Sequence, residues 1–178
     1  MLIDEFLPQF HFAEHHAITI NAPAGSVYKA IRKLDLSSSK VIRWLFRLRG
    51  LPASSLSLEG LLQMGFILLG ETPAQEILMG VIGRFWTRTA NLQRLDPGGF
   101  REFARVGYAK AAWNFAMAGE NEGMTRLTTE TRICCTDPKS RRQFRLYWSV
   151  IAPFSAWIRR ETLRTLKERL ESEGAARL

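Results

Sequence analysis

The hexapeptide His11-Phe12-Ala13-Glu14-His15-His16 contains every histidine of the chain, with a carboxylate between the first and the second. Those are the residue types of metal binding and of proton transfer. Wound as a helix, His11, Glu14 and His15 match the HxxEH arrangement, which sets two imidazoles on one face for zinc with a glutamate beside them. Drawn out as a strand, alternate residues point to opposite faces. Glu14 and His16 then stand with Phe10, Phe12, Ile18 and Ile20, while His11 and His15 stand with Ala13, Ala17 and Thr19. The strand reading separates the zinc set, and no metal is expected. It leaves Glu14 beside His16 on the face expected to be buried, where a carboxylate holds an imidazole in one orientation. The pair is expected either to anchor the polar end of a ligand or to work as acid and base; the alternative is a buried pair that serves only the fold.

What must position that pair is a chain of 178 residues, 46% hydrophobic, a length suited to one domain over residues 1–178 that buries about 70% of its unfolded surface. The opening MLIDEFLPQF lacks a basic stretch followed by an apolar one, and no segment approaches the roughly 20 apolar residues of a bilayer span, so a cytoplasmic protein is expected. Cys134 and Cys135 are adjacent and point to opposite faces of a strand, which suits reduced packing residues rather than a bridge. The net charge of +8 is carried mostly by dispersed arginines. With no run of like charge and no helix-turn-helix, zinc-finger or RNP signature, it reads as a solvated basic surface and nucleic acid is not expected as a partner.

After the alternating residues 10–20, Asn21-Ala22-Pro23 leads into a helix carrying Val27, Ala30, Ile31 and Leu34 at helical spacing. Residues 40–49, KVIRWLFRLR, form a second, basic amphipathic helix. It admits a membrane-surface reading, with Trp44 and Phe46 among headgroups and Arg43 and Arg47 on phosphate; packing over a sheet edge explains the same pattern. A third short helical piece is expected near Leu56 to Met64. Residues 65–72 and 75–84 read as a hairpin apolar on both faces, which leaves room for a homodimer contact. Between Phe85 and Phe103, Asp96-Pro97-Gly98-Gly99 marks a turn flanked by irregular strand or a single helical turn. Tyr108–Ala118 and Met124–Cys135 flank GENEG as a second hairpin. Centred on Asn121, it sets Trp113 opposite Thr129 and Phe115 opposite Leu127, with Lys110, Asn114, Glu130 and Arg132 on the reverse, solvent face, where they could also hold an anion. Asp137-Pro138 starts a long final helix with the stripe Phe144, Trp148, Ile151, Ser155 and Ile158, Tyr147 and Phe154 at its margin, and Arg141, Arg142, Arg145, Arg159 and Arg160 outside it.

Three stretches, HHAITINAPAGSVYKAI, GYAKAAWNFAMA with TRLTTETRI, and DPKSRRQFRLYWSVIAPFSAWIRRETL, give the chain a resemblance to the helix-grip superfamily called SRPBCC. That group includes START lipid-transfer domains and polyketide cyclases, and the stretches look most similar to an uncharacterised bacterial branch. The resemblance covers roughly residues 10–170. It implies an α+β fold in which a curved antiparallel sheet wraps a long C-terminal helix, with two or three short helices after the first strand and an apolar cavity between sheet and helix. The function so implied is binding of a hydrophobic small molecule, a lipid, polyketide or aromatic metabolite, with no cofactor. Its runners-up are a cyclase or dehydratase using Glu14 and His16, and a module that binds anionic surfaces. The residues expected to meet the ligand are Glu14, His16, Trp86, Trp113, Phe115, Phe144, Tyr147, Trp148 and Ile151, with Trp86 at the cavity mouth.

Overall fold

The computed structural model describes residues 1–35, 57–121 and 123–175. In chain order the elements are α1 (Leu2–Phe6), β1 (Phe12–Ile20), α2 (Ala24–Arg32), α3 (Leu58–Gln63), β2 (Ile67–Thr72), β3 (Glu76–Gly83), α4 (Pro97–Glu102), β4 (Ala109–Asn121), β5 (Met124–Cys135) and α5 (Pro138–Ala175). The strands form one curved antiparallel sheet in the order β1-β5-β4-β3-β2, and α5 packs along it, chiefly on β1. This is the α+β helix-grip arrangement. The basic helix expected at 40–49, with its membrane-surface reading, lies outside the described residues.

Local chemistry sets the boundaries. Asp137 caps α5 by accepting from the Ser140 backbone N–H at 3.0 Å, and Pro138 follows where a missing N–H costs nothing. Ser57 caps α3 and Asp96 caps α4 in the same way, at 3.2 and 2.6 Å. The Asp96 turn therefore opens a short helix, one of the two alternatives the sequence left. Gly123 sits at φ +86 between β4 and β5, a left-handed conformation that glycine takes without strain. The hairpin closes around it, so Trp113 pairs with Thr131 and Met117 with Leu127, two residues from the register expected for a loop centred on Asn121. Because the shift is even, every side chain keeps its expected face.

Both faces of the sheet are covered. On the inner face Ile20, Ile77, Phe115, Met117 and Leu127 pack against Val27 and Ile31 of α2 and against Leu163, Leu166 and Leu170 of α5. On the outer face Leu69, Leu78, Ile82 and Ala112 pack against Ile3, Phe6 and Phe100 of α1 and α4. A Cβ added to Gly80 would lie 2.6 Å from Leu69 and 2.9 Å from Phe100, so glycine is what lets α4 approach β3. The second apolar face of the 65–84 hairpin, which suggested a dimer contact, is thus occupied by the chain itself.

The polar residues of the outer face are a correction to the sequence reading, which placed them in solvent. Asn114 is fully buried and donates to Glu76 at 2.7 Å, and the other oxygen of Glu76 accepts the Leu2 backbone N–H at 2.7 Å, at the first turn of α1. Lys110 donates to the Arg101 carbonyl at 3.0 Å, and Arg132 reaches Glu130 at 2.7 Å and Asp4 at 2.8 Å. These contacts satisfy buried charges while tying α1 and α4 to the sheet. Phe10, expected on the buried face, lies before β1, is 44% exposed and stacks under the Arg132 guanidinium.

Candidate functional site

The alternation of β1 puts Glu14 and His16 on the inner face, and Glu14 Oε1 meets His16 Nε2 at 2.6 Å with both side chains largely buried. His15 points outward and is exposed, opposite Glu130. His11 precedes the strand, and its Nδ1 accepts the Cys135 backbone N–H at 3.0 Å. Burial, with Arg141 adding to it, pushes the His11 pKa down, which favours the neutral ring that can accept that bond. The HxxEH residues therefore do not converge, and among the described residues no group of three or more metal-ligating side chains is assembled. Cys134 joins the outer cluster and Cys135 the inner one, both as free thiols; burial is the main cause that pushes the Cys135 pKa up to about 12.

Strand pairing aligns Glu14 with Thr131 and Thr131 with Trp113, so Glu14, Thr131 and Trp113 form one row across three strands. At the usual spacing between strands the backbones of Glu14 and Trp113 are about 10 Å apart. Each carries a buried polar atom without a hydrogen-bond partner among the described residues, an acceptor at Glu14 Oε2 and a donor at Trp113 Nε1. Buried polar atoms are nearly always paired, because leaving one unmade costs about 1–3 kcal/mol. One unpaired acceptor and one unpaired donor on the same face are complementary to a guest that both donates and accepts.

Beside Trp113 the sheet and helices leave an apolar cavity. Its walls are Ile77, Met79, Trp113 and Phe115 from the sheet, Ile158, Arg159 and Thr162 from α5, and Ile31, Leu34, Leu58 and Leu61 from α2, α3 and their flanks. The space that water could enter is about 60 Å3, and the whole depression, counted out to solvent, is about 530 Å3. Phe66 meets the Trp113 ring edge-on at 5.3 Å, and the Arg159 guanidinium lies 5.1 Å over it. Arg159 is therefore not outside the inner stripe, as helical spacing suggested, but at the rim of the cavity.

The other expected site residues gather elsewhere on the same face. Phe144 is fully buried, and its ring is surrounded by Phe12 at 5.1 Å, Tyr147 at 5.6 Å, Trp148 at 5.7 Å, and Phe85 and Trp86 at 6.3 Å each. Trp86 here closes a packed aromatic cluster. Ile151 is buried on the turn of α5 that follows Trp148. Of the nine residues singled out in sequence, Trp113 and Phe115 line the cavity, Glu14 shares a row with Trp113, and Phe144 centres the cluster. Ile31, Leu61, Met79 and Thr162 were missed as lining residues. Each carries only an ordinary core signal at helix or strand spacing, so nothing local marks it.

No family model matches the chain, and no curated protein matches it. Among solved structures, TTHA0849 from Thermus thermophilus aligns over 91% of this chain and 99% of its own, at 10% identity and a TM-score of 0.31. A likeness that loose bears on neither mechanism nor ligand.

Proposed function

We propose that this chain is an SRPBCC-type carrier that binds an apolar small molecule, in class a lipid, polyketide or aromatic metabolite, between the sheet and α5. The observation that carries the reading is the pair of buried atoms without partners among the described residues, Glu14 Oε2 and Trp113 Nε1, in one cross-strand row whose Trp113 end lines an apolar depression. Burial of the guest's apolar body supplies the affinity, at about 25 cal/mol per Å2. The carboxylate and the indole N–H select a guest with a hydroxyl or similar group that donates and accepts. The space of about 60 Å3 that water could enter is smaller than the roughly 150 Å3 that holds a benzene ring, so the guest's body occupies the wider depression and side chains at its base move. Titration of isotope-labelled protein with naphthol and with decanol tests this. The expected result is a saturable shift of the Trp113 indole N–H resonance; an unmoved Trp113 signal with both probes overturns it.

A second reading is favoured by the 2.6 Å contact between Glu14 and His16, which would let the two residues pass a proton in a cyclase or dehydratase reaction. Its test is hydrogen exchange at the acidic carbon of a β-keto ester in heavy water. Exchange above buffer that is lost in His16→Gln supports it, and exchange at the buffer rate rejects it.

A further inference from the structure

The long helix α5 is apolar on two sides. Its inner stripe faces the sheet, and on its outer side Leu146, Val150, Phe154 and Trp157 recur at intervals of four, four and three residues, one helical face. They are 75%, 63%, 39% and 44% exposed. Scattered exposed apolar residues are ordinary, but a contiguous stripe of four large ones on a single helix marks a contact surface. The charge around it is mainly positive, with Asp137 before α5 and Glu161 one turn beyond Trp157 as the acidic neighbours. Residues 138–160 contain Lys139, Arg141, Arg142, Arg145, Arg159 and Arg160 and no acidic residue. Lys139, Arg142, Arg145 and Arg160 are exposed and make no ion pair with the described residues. Where α5 begins, a depression of about 460 Å3 is lined by Arg141, Arg142 and Arg145 with His11 and Thr136, and by one carboxylate, Asp137, which is already engaged by Ser140 and Gly107.

From this arrangement we propose that the outer face of α5 docks on an anionic membrane surface, with Leu146, Val150, Phe154 and Trp157 at the boundary between headgroups and acyl chains and the exposed arginines on lipid phosphate. An interfacial helix has this distribution: an apolar stripe, a basic rim and a tryptophan at the boundary. Charge decides among the occupants. A symmetric contact with a second copy would set these arginines against the same arginines, whereas an anionic bilayer complements them. A nucleic acid would meet the arginines but leave the leucine, valine and phenylalanine in water. The proposal stands independently of ligand binding on the inner face.

Sedimentation of the full chain with vesicles of phosphatidylcholine, alone or mixed with phosphatidylglycerol, tests it. The expected result is binding to the mixed vesicles that weakens with salt, with little binding to phosphatidylcholine, and a blue shift of emission that is reduced in Trp157→Phe. One basic side chain near such a surface contributes about fivefold, so combining Arg142→Gln, Arg145→Gln and Arg160→Gln should weaken binding about a hundredfold. Val150→Asn should also weaken it, and both variants should unfold at the wild-type temperature because the altered side chains are exposed. Equal sedimentation with the two vesicle types, or none, overturns the proposal. So does a dimer in light scattering that Val150→Asn abolishes, or salt-sensitive binding to DNA with no binding to vesicles.

Discussion

Glu14 and Trp113 stand in one row of the sheet with Thr131 between them, and each carries, on the face that α5 covers, a buried polar atom with no partner among the described residues. Glu14 uses its other oxygen to hold His16 at 2.6 Å. Glu14→Gln keeps the shape and a hydrogen bond to the imidazole but loses the charge at Oε2. Naphthol binding, measured by calorimetry, should weaken about tenfold, the lower end of what a hydrogen bond to a charged group contributes, while stability changes by less than about 1 kcal/mol. An unchanged affinity would make the pair a structural one.

Trp113 separates packing from polarity. Trp113→Phe preserves the edge contact with Phe66 and deletes an N–H that has no partner among the described residues, so denaturant unfolding should show stability unchanged or raised by about 1 kcal/mol. Trp113→Ala loses the ring against Phe66 and Arg159 and should cost about 3 kcal/mol.

Phe144 is the hub of the aromatic cluster, with five rings within 6.3 Å. Phe144→Ala should destabilise by about 3–5 kcal/mol in urea unfolding, the range for emptying a buried aromatic site. A loss below about 1 kcal/mol would mean that the cluster collapses to fill the gap.

Asp137 joins two elements: it caps α5 at Ser140 and accepts the Gly107 backbone N–H at 2.7 Å. Its hydrogen bonds to the Ser140 hydroxyl and backbone hold its pKa at about 2. An unfolded aspartate titrates near 3.9, so the folded state binds protons less readily, and the stabilisation is full above about pH 4 and lost as pH falls towards 2. Asp137→Ala should therefore cost about 1–2 kcal/mol at neutral pH in thermal or urea unfolding. The gap from wild type should close between those two pH values.

Much of this fold was legible because local patterns and tertiary packing agree. The alternation from Phe12 to Ile20, the Asp137-Pro138 start of α5 and the β4–β5 hairpin each carry their own signal. The hairpin register was missed by two residues because the left-handed turn falls at Gly123. Helix α1 was missed because five residues carry too little periodicity; it is held by Glu76, 74 positions away in sequence, and by Arg132. The same distance effect hid the outer polar network, since Asn114 and Lys110 read as solvent residues until α1 and α4 cover them. The outer stripe of α5 has no separate signal in sequence: Phe154 reads as the margin of the inner stripe but is 39% exposed on the outer side, and Phe144 and Ile151 already account for the burial expected of one helix.

Native mass spectrometry of protein purified without detergent tests most directly whether the inner face of the sheet holds a guest. Wild-type protein should retain a small organic molecule, or take up one equivalent of naphthol, and Ile158→Phe, which fills the depression from α5, should do neither while remaining folded. A bare wild-type mass that no addition of naphthol or decanol changes would contradict ligand binding between sheet and helix.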